Sequence, residues 1–235
     1  MVKKRSLTGL IFFVLFLFPQ LISFAQTNDS ILVVGGTGRI GSEIVKALEQ
    51  RGKNVRVFAR TSSDRKRLQG LDISYVIGNV LTENDVAHTF EQQKYDAVIS
   101  SLAKVGQEPN PHAVGGQYLT KWAKKNGVKH FILISSLGAG PNPVHTKYKE
   151  ILQAKGVAET ALTSSGIDYT IIRTGIILYG EEPATGKAQL ILDQNVLGTI
   201  TRKDLAQLTA ECVLNNQCIN QIYNAVDCSL RCQAQ

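Results

Sequence analysis

Several kinds of residue are scarce in this chain of 235 residues, and each shortage argues against a class of protein. The four histidines stand apart, with no pair at the spacing of metal ligands, so the sequence predicts no metal site. Aromatic residues make up 7% of the chain and no block of basic residues is interleaved with them, which argues against nucleic-acid binding. Internal repeats, low-complexity tracts and linkers are also lacking, which leaves a single globular domain as the expected organisation.

Cysteine is missing until the last 24 residues, where all four cysteines occur: Cys212, Cys218, Cys228 and Cys232. Their spacings match no common zinc-binding pattern. An even number of cysteines in an exported chain favours one or two disulfides, with three possible full pairings. The alternative is that Cys212, on the apolar face of a predicted helix, is a buried thiol.

Acidic residues are missing from the first 28 positions, and this basic, apolar start has the three parts of a secretory signal peptide. Residues 3–5 carry three of the positive charges behind the formal net charge of +7 and precede an unbroken apolar run at 10–18. That run is shorter than the roughly 20 residues of a bilayer span. We expect cleavage after Ala25, which removes residues 1–25 and exports 26–235 to a periplasm or through a secretory pathway, without stable membrane insertion. The alternative is a membrane-anchored protein that keeps this segment.

After the leader, apolar strands and amphipathic helices alternate. Strands rich in β-branched residues, each followed by a helix, are typical of parallel βαβ units, so the sequence predicts an α/β fold. Strands are predicted at 30–35, 54–59, 72–77, 95–101, 129–135, 168–173 and 218–225. Helices are predicted at 39–51, 115–126, 148–165, 201–215 with Thr201 as N-cap, and within 78–93, where Thr82 and Asp85 resemble a capping box.

The first strand runs directly into a glycine-rich stretch: Gly35, Gly36, Thr37, Gly38, Arg39, Ile40 and Gly41. Glycine at the first, fourth and seventh positions serves a turn out of the strand, a close approach to a pyrophosphate, and tight packing of helix on strand. The helix N-terminus then offers free N–H groups to the phosphates. Because the stretch joins a strand to an amphipathic helix, it indicates a dinucleotide-binding loop. A glycine-rich turn that binds nothing is the alternative.

The end of the second strand indicates which dinucleotide is bound. An NAD site usually has an acidic residue near this position for the ribose hydroxyls. This chain instead has Arg60 followed by three hydroxyl residues at 61–63, which suits a 2′-phosphate. The sequence therefore favours NADP over NAD, unless these residues only form the solvated, basic start of a helix, as the charges at 65–67 suggest.

These stretches together resemble the atypical short-chain dehydrogenases/reductases, of the NAD(P)H-binding, NmrA-like kind that includes flavin and biliverdin reductases. The resemblance covers 31–227 and rests on "GGTGRIG", "VIGNV", "DAVISSLA", "GVKHFILISSLGA" and "AKGVAETALTSSGIDYTIIRTG". It implies a Rossmann-like, doubly wound parallel sheet with a small C-terminal segment that covers the substrate. The cofactor contacts that it implies beyond the glycine loop and Arg60 are Asn79, Val80, Ser101, Leu102, Ala103, Ser135 and Lys155.

The resemblance also implies a reaction site, which this chain alters. Reductases of this superfamily commonly use serine, tyrosine and lysine, with the tyrosine four residues before the lysine. Here Ser136 and Lys155 match the serine and the lysine, but Ile151 occupies the tyrosine position. Tyr148 lies seven residues before Lys155, which is two helical turns. Ser136, Tyr148 and Lys155 are therefore the candidate catalytic residues.

Three functions fit this altered site. The chain can reduce a flavin, quinone or small carbonyl compound by hydride delivery from NADPH, beneath a cover formed by 179–199. It can instead bind NADP(H) without turnover, as a sensor, or it can be an exported interaction protein on a retained scaffold. His112 and His145, in loops at the cofactor end, are candidate proton donors near neutral pH, whereas His88 and His130 are expected to be structural. Arg173, at a strand end, is expected to be structural or close to the cofactor.

Overall fold

The computed structural model describes residues 29–102, 108–143 and 146–234. The predicted leader, Ala103 and His145 therefore lie outside the described residues. Across the described ranges, no helix combines the length and the apolar character that crossing a bilayer requires.

The described residues form two sheets. The strands are β1 (Ser30–Val34), β2 (Asn54–Ala59), β3 (Ser74–Ile77), β4 (Ala97–Ser100), β5 (His130–Ser136), β6 (Tyr169–Thr174), β7 (Ile176–Ile177), β8 (Gln189–Ile191), β9 (Val196–Ile200), β10 (Gln221–Val226) and β11 (Cys232–Ala234). The main sheet has the order β3-β2-β1-β4-β5-β6-β10-β8, and its strands are parallel except for β8, which runs antiparallel to β10. A second sheet has the order β11-β9-β7.

Helices cover both faces of the main sheet. They are α1 (Arg39–Glu49), α2 (Glu83–Gln92), α3 (Gly116–Lys125), α4 (Lys149–Thr163) and α5 (Arg202–Cys212), with short helical turns at Lys66–Leu68, Pro111–Gly115, Thr146–Tyr148 and Asn216–Cys218. Alternate residues of β1 face opposite sides: Ile31 and Val33 pack with α1 and α5, whereas Leu32 and Val34 pack with α2, α3 and α4. This two-sided burial explains the continuous apolar run that begins at Ile31.

The predicted fold class is confirmed. The strand order reverses between β1 and β4, and in open α/β sheets the crevice at such a switch point, outside the carboxyl ends of the strands, binds the ligand. Ser100 in β4 pairs with Val34 in β1, and Ser136 in β5 pairs with Thr174 in β6, so the ends of four central strands share this edge. Everything that follows on function concerns this edge.

Several local predictions need correction. The sequence predicts no strand within 175–199, but this segment contains β7, β8 and most of β9. These strands are short and lie outside the central parallel part of the main sheet, so their sequences lack the buried apolar runs of the predicted strands. The polar loop predicted around Pro111 continues as a π-helical turn into α3. The capping box is wrong: Thr82 makes no side-chain cap, and Asp85 instead accepts a hydrogen bond from the Asn79 N–H at 2.8 Å. The N-cap at Thr201 is confirmed, since its Oγ1 accepts from the Asp204 N–H at 3.0 Å.

The cysteines lie in two close pairs. The sulfur atoms of Cys212 and Cys218 are 2.10 Å apart, and those of Cys228 and Cys232 are 2.12 Å apart. The first pair joins the end of α5 to the turn at Asn216–Cys218, and the second brings Cys232, at the start of β11, next to Cys228. Each cysteine therefore lies next to the cysteine nearest to it in sequence, Cys212 with Cys218 and Cys228 with Cys232.

Candidate functional site

The glycine loop is packed so closely that side chains are excluded at two positions. Gly35 has a φ of +80°, and a Cβ there would lie 2.4 Å from the carbonyl oxygen of Ser101. A Cβ on Gly41 would lie 2.1 Å from the carbonyl oxygen of Gly35. Between them the Gly38 N–H donates to the Gly35 carbonyl oxygen at 3.0 Å and caps the start of α1. The loop thus presents backbone and a helix N-terminus to the crevice, which suits the phosphates of a dinucleotide.

A cavity of about 270 Å³ lies against this loop at the carboxyl ends of β1, β2 and β4. Its lining includes eight of the predicted cofactor contacts: Gly35, Thr37, Gly38, Arg60, Asn79, Val80, Ser101 and Leu102. The buried side chain of Phe58 and Pro111 complete its apolar wall. A dinucleotide site needs this combination of a backbone-lined end and an apolar end.

Three predicted contacts occupy the first turn of α1 instead of the cavity wall. Arg39 is exposed and Ile40 is half-buried, while Gly41 supports the loop through its close approach to Gly35. Ser135 is also away from this cavity: it is fully buried and donates its hydroxyl to Glu159 Oε1 at 2.5 Å. These residues shape the site, but the structure does not place their side chains in the cavity lining.

An adjoining cavity of about 420 Å³ lies beyond the end of β2. Arg60 lines it together with the hydroxyl residues Thr61 and Ser62. Asp85 lines it too, with its carboxylate occupied by the Asn79 N–H. Arg65 is directed elsewhere, because its guanidinium stacks on the ring of Tyr75 at 4.7 Å.

Two of the three candidate catalytic residues meet. Ser136 ends β5, and Lys155 on α4 donates from Nζ to its Oγ at 2.7 Å. Burial lowers the pKa of Lys155 to about 8, while the carboxylate of Glu159, one helical turn further on, opposes that shift. Lys155 is therefore mostly charged at neutral pH, but it is a stronger acid than an exposed lysine.

Tyr148 is not part of this pair. It caps α4, its side chain is 53% exposed, and the contact described for its ring is the Lys147 amino group at 5.6 Å. The structure thus brings Ser136 and Lys155 together and leaves the tyrosine in solvent.

A buried carboxylate close to the pair bonds to the residues around it. Glu159 is 7% exposed and accepts from Arg173 Nε at 3.1 Å and from Arg173 Nη2 at 2.7 Å, in addition to Ser135. Arg173 also donates to Gln194 Oε1 at 3.0 Å, which connects β6 with the cover segment. Arg173 is thus engaged as a structural bridge. Sequence reasoning missed Glu159, although it lies on the same helical face as Lys155, four residues away.

The cover segment is held at a second point near its middle. The backbone N–H groups of Thr185 and Gly186 each donate to the Asp204 carboxylate at 2.9 Å, and the Thr185 hydroxyl donates to Asp227. Burial favours the neutral form of Asp204, yet these bonds and the Thr201 hydroxyl hold the pKa of that carboxyl below its usual value. Within the described ranges no group of three or more His, Cys, Asp or Glu side chains is arranged to hold a metal ion.

His112 lies in a different environment from the one that the sequence predicts. It is 2% exposed, in the π-helical turn Pro111–Gly115 instead of an open loop. Burial, followed by the charge of Lys155, lowers its pKa to about 3, so the imidazole is neutral at pH 7 and cannot act there as an imidazolium acid. Its Nε2 is buried and has no hydrogen-bond partner within the described residues.

The comparisons with known proteins agree with this geometry. A family model described as NAD(P)H-binding matches residues 35–216. The chain belongs to this NAD(P)H-binding family. The match begins at the first glycine of the loop and ends beyond α5, so it covers the crevice and both helical layers. The resemblance found in the sequence is confirmed.

Relatives within and around the NAD(P)H-binding family include reductases. The chain is 26% identical to a chloroplast divinyl chlorophyllide a 8-vinyl-reductase of Cucumis sativus, over 83% of this chain and 52% of the relative. It is 24% identical to an NAD(P)H azoreductase of Xenophilus azovorans, over 82% of this chain and 66% of the relative. The chain thus spans about half to two thirds of the length of these relatives. Among solved structures, the anaerobillin reductase ChuY of Escherichia coli has the same fold, with a TM-score of 0.74 and 24% identity over 86% of this chain and 98% of that chain.

Proposed function

We propose that this protein is an NAD(P)H-dependent oxidoreductase that reduces a small or planar acceptor, such as a flavin, a quinone or a carbonyl compound. The observation that carries the proposal is the 2.7 Å hydrogen bond between Lys155 Nζ and Ser136 Oγ, at the same sheet edge as the cavity of the glycine loop. Relatives named as reductases of a chlorophyllide and of azo compounds support it.

The residues of the chain supply the proton of this reaction. A reduced nicotinamide bound in the crevice supplies the hydride. The Ser136 hydroxyl donates a proton to the acceptor atom that gains negative charge, and Lys155 returns a proton to Ser136 Oγ along their hydrogen bond. Glu159 holds neighbouring Ser135 and Arg173, which keeps this end of β5 rigid. The missing tyrosine is thereby replaced by a serine whose proton comes from a buried lysine.

Exposed apolar side chains in and next to the cover segment suit a flat, apolar acceptor. Ile176 is 71% exposed, Tyr179 is 88% exposed and Leu192 is 60% exposed, and all three lie in or next to the cover segment. Large apolar side chains left in solvent near a crevice mark a binding surface for an apolar ligand. We propose that the acceptor lies against them.

A turnover assay tests the proposed reaction. NADPH oxidation by the purified protein is followed with flavins, quinones and small carbonyl compounds. Lys155→Met is expected to lower kcat by about 100-fold or more, because the acid is lost. Lys149→Met, on the same helix but exposed, is the matched control and is expected to leave kcat unchanged. Stoichiometric NADPH binding with no turnover on any acceptor would overturn the proposal and favour a sensor.

The sensor is the second candidate, and Ile151 with the exposed Tyr148 favours it. A chain that has lost the usual acid can still hold a dinucleotide through its glycine loop. An exported interaction protein on the same scaffold is the third, and it predicts no dinucleotide binding at all.

We further propose that NADP is preferred to NAD. Arg60 and the adjacent hydroxyl residues supply charge-assisted hydrogen bonds that suit a 2′-phosphate. Arg60→Ala is expected to weaken NADPH binding by about 10- to 100-fold and to leave NADH binding unchanged. Arg67→Ala, exposed in the turn Lys66–Leu68, is the control. An unchanged NADPH preference in Arg60→Ala would show that the 2′-phosphate lies elsewhere.

Export and oxidation of the cysteines are part of the proposal. The leader predicts cleavage after Ala25, and the sulfur distances support disulfides between Cys212 and Cys218 and between Cys228 and Cys232. Protein recovered from outside the cytoplasm is expected to begin at Gln26 and to show no free thiol when denatured. An intact N-terminus on the exported protein would favour the membrane anchor, and four titratable thiols would rule out both disulfides.

A further inference from the structure

Two buried polar atoms lack partners at the edge of the cofactor crevice. Ser101, after the end of β4, is 3% exposed, and its Oγ has no hydrogen-bond partner within the described residues. His112, on the turn Pro111–Gly115, is 2% exposed, and its Nε2 is unpartnered in the same way. Buried polar side chains are normally hydrogen-bonded, so an exception needs an explanation. Ser101 has one already, because it lines the dinucleotide cavity.

The turn that carries His112 is fixed between the cavity and α4. Pro111 lines the cavity, and a Cβ on Gly115 would lie 2.7 Å from the Val80 side chain, another part of the same wall. On the other side, a Cβ on Gly116 would lie 2.8 Å from Ala158 of α4. His112 therefore sits where the cofactor wall meets the helix that carries Lys155.

The turn that carries the imidazole is fixed by a hydrogen bond, and burial keeps the imidazole neutral. The Asn110 side chain accepts from the His112 N–H at 3.0 Å, which fixes the start of the turn. Burial and the nearby charge of Lys155 lower the pKa of His112 to about 3. A neutral imidazole has one nitrogen that donates and one that accepts, so it can bond to a hydroxyl or a carboxamide without adding charge.

We propose that His112 binds the nicotinamide nucleoside half of the cofactor through Nε2, beside Lys155, and so determines how firmly that half is held. This inference rests on dinucleotide binding by the site and does not require turnover. It assigns the unpartnered imidazole a ligand of defined chemistry: the ribose hydroxyls and the carboxamide of the nicotinamide nucleoside.

Binding of cofactor fragments tests the assignment. Equilibrium affinities of the full chain are measured by calorimetry for NADPH and for 2′,5′-ADP, which lacks the nicotinamide nucleoside. His112→Phe keeps the ring size but has no nitrogen, and it is expected to weaken NADPH binding about 10-fold while leaving 2′,5′-ADP binding within twofold. His112→Gln, which retains a polar amide, is expected to recover part of the loss. His88→Phe, at an exposed position on α2, is the control.

Three outcomes would overturn the proposal: an equal loss for both ligands, an unchanged NADPH affinity, or a raised KM for the acceptor alone. The first would mean that His112 only supports the fold, and the last that it contacts the acceptor. A second measurement needs no variant. The ¹⁵N resonance of His112 Nε2 is expected to shift on addition of NADPH and not of 2′,5′-ADP, whereas that of His130 stays in place. Absence of turnover would refute the reductase without affecting the binding affinities or the ¹⁵N resonances.

Discussion

Two buried histidines mark opposite ends of the same sheet. His130 begins β5, and both of its ring nitrogens are bonded: Nδ1 accepts from the Leu214 N–H at 3.0 Å, and Nε2 contacts Thr170 Oγ1 at 2.8 Å. The Leu214 bond assigns the proton to Nε2, which therefore donates to Thr170, and Thr170 donates in turn to the Cys218 carbonyl oxygen at 2.7 Å. His112, at the carboxyl edge, is as deeply buried, but its Nε2 has no hydrogen-bond partner among the residues that the structure describes.

This difference in hydrogen bonding distinguishes a histidine that stabilises the fold from one that is available to a ligand. A buried imidazole with both nitrogens bonded connects separate parts of the chain. His130 connects β5 to β6 and to the residues that follow α5. A buried imidazole with an unpartnered nitrogen lowers the stability of the protein without cofactor. A ligand that bonds to that nitrogen is expected to raise this stability. The same contrast distinguishes Ser135, bonded to Glu159, from Ser101, whose Oγ has no partner within the described part of the chain.

Acid is expected to produce the largest effect, because neither histidine protonates readily in the folded state. Burial lowers the pKa of His112 to about 3 and of His130 to about 4, below their usual 6.5. The unfolded chain then binds more protons below pH 6.5, so stability falls as the pH drops. Each histidine contributes about 1.4 kcal/mol per pH unit, or about 4 kcal/mol for both between pH 6 and 4.5. Urea unfolding across this range measures the loss; a His130→Leu variant with an unchanged slope would contradict it.

Replacing each histidine by leucine is expected to change the stability of the protein without cofactor by unequal amounts. His130→Leu leaves the Leu214 N–H without its acceptor and Thr170 without its donor, and the free energy of unfolding is expected to fall by about 3 kcal/mol. His112→Leu replaces an unbonded polar ring by an apolar side chain and is expected to change it by less than about 1 kcal/mol. Urea unfolding at pH 7.5 compares the two. Equal losses would remove the distinction between scaffold and site.

The charge beside His112 is expected to determine the alkaline limit of activity. Lys155 has a pKa of about 8, and Glu159 and His112 are the titratable groups that interact with it. In the proposed reaction the protonated lysine supplies the proton, so kcat is expected to fall about tenfold per pH unit above that value. His112 is neutral throughout this range and adds no second step. A flat profile up to pH 10 would assign the proton to another group.

Loss of a buried helix-cap hydroxyl is expected to have the smallest effect. Thr201 caps α5 and also donates its hydroxyl to Asp204 at 2.7 Å. Thr201→Ala is expected to cost about 1 kcal/mol of stability and to leave cofactor affinity unchanged. Thermal unfolding and NADPH titration measure both; a drop in affinity would show that the α5 terminus communicates with the crevice.

The parts that sequence predicted well are those set by neighbouring residues. The glycine loop, β1 and α1 are contiguous, so spacing and apolar pattern were sufficient to identify them. The Lys155 and Ser136 pair followed from the family resemblance, although only the structure shows their bond. Thr201 was identified because a cap acts over three residues.

The parts that sequence predicted poorly depend on distant residues. Asp85 has the spacing of a capping box, yet the Asn79 N–H claims its carboxylate once β3 and α2 are in place. His112 follows two prolines and polar residues, a pattern typical of an open loop, and its burial arises only when α4 packs against the turn.

The segment 179–199 is attached at two points, so it is a fixed wall and not a hinged flap. Thr185 is tied to Asp204 and Asp227, and Gln194 is tied to Arg173, so the stretch between them cannot swing as a unit without breaking both. Under the proposed function, a segment held in this way is expected to select acceptors by thickness and to tolerate variety in their outline. Changes at the exposed Ile176, Tyr179 and Leu192 would then alter the range of accepted molecules while the machinery beneath them stays the same.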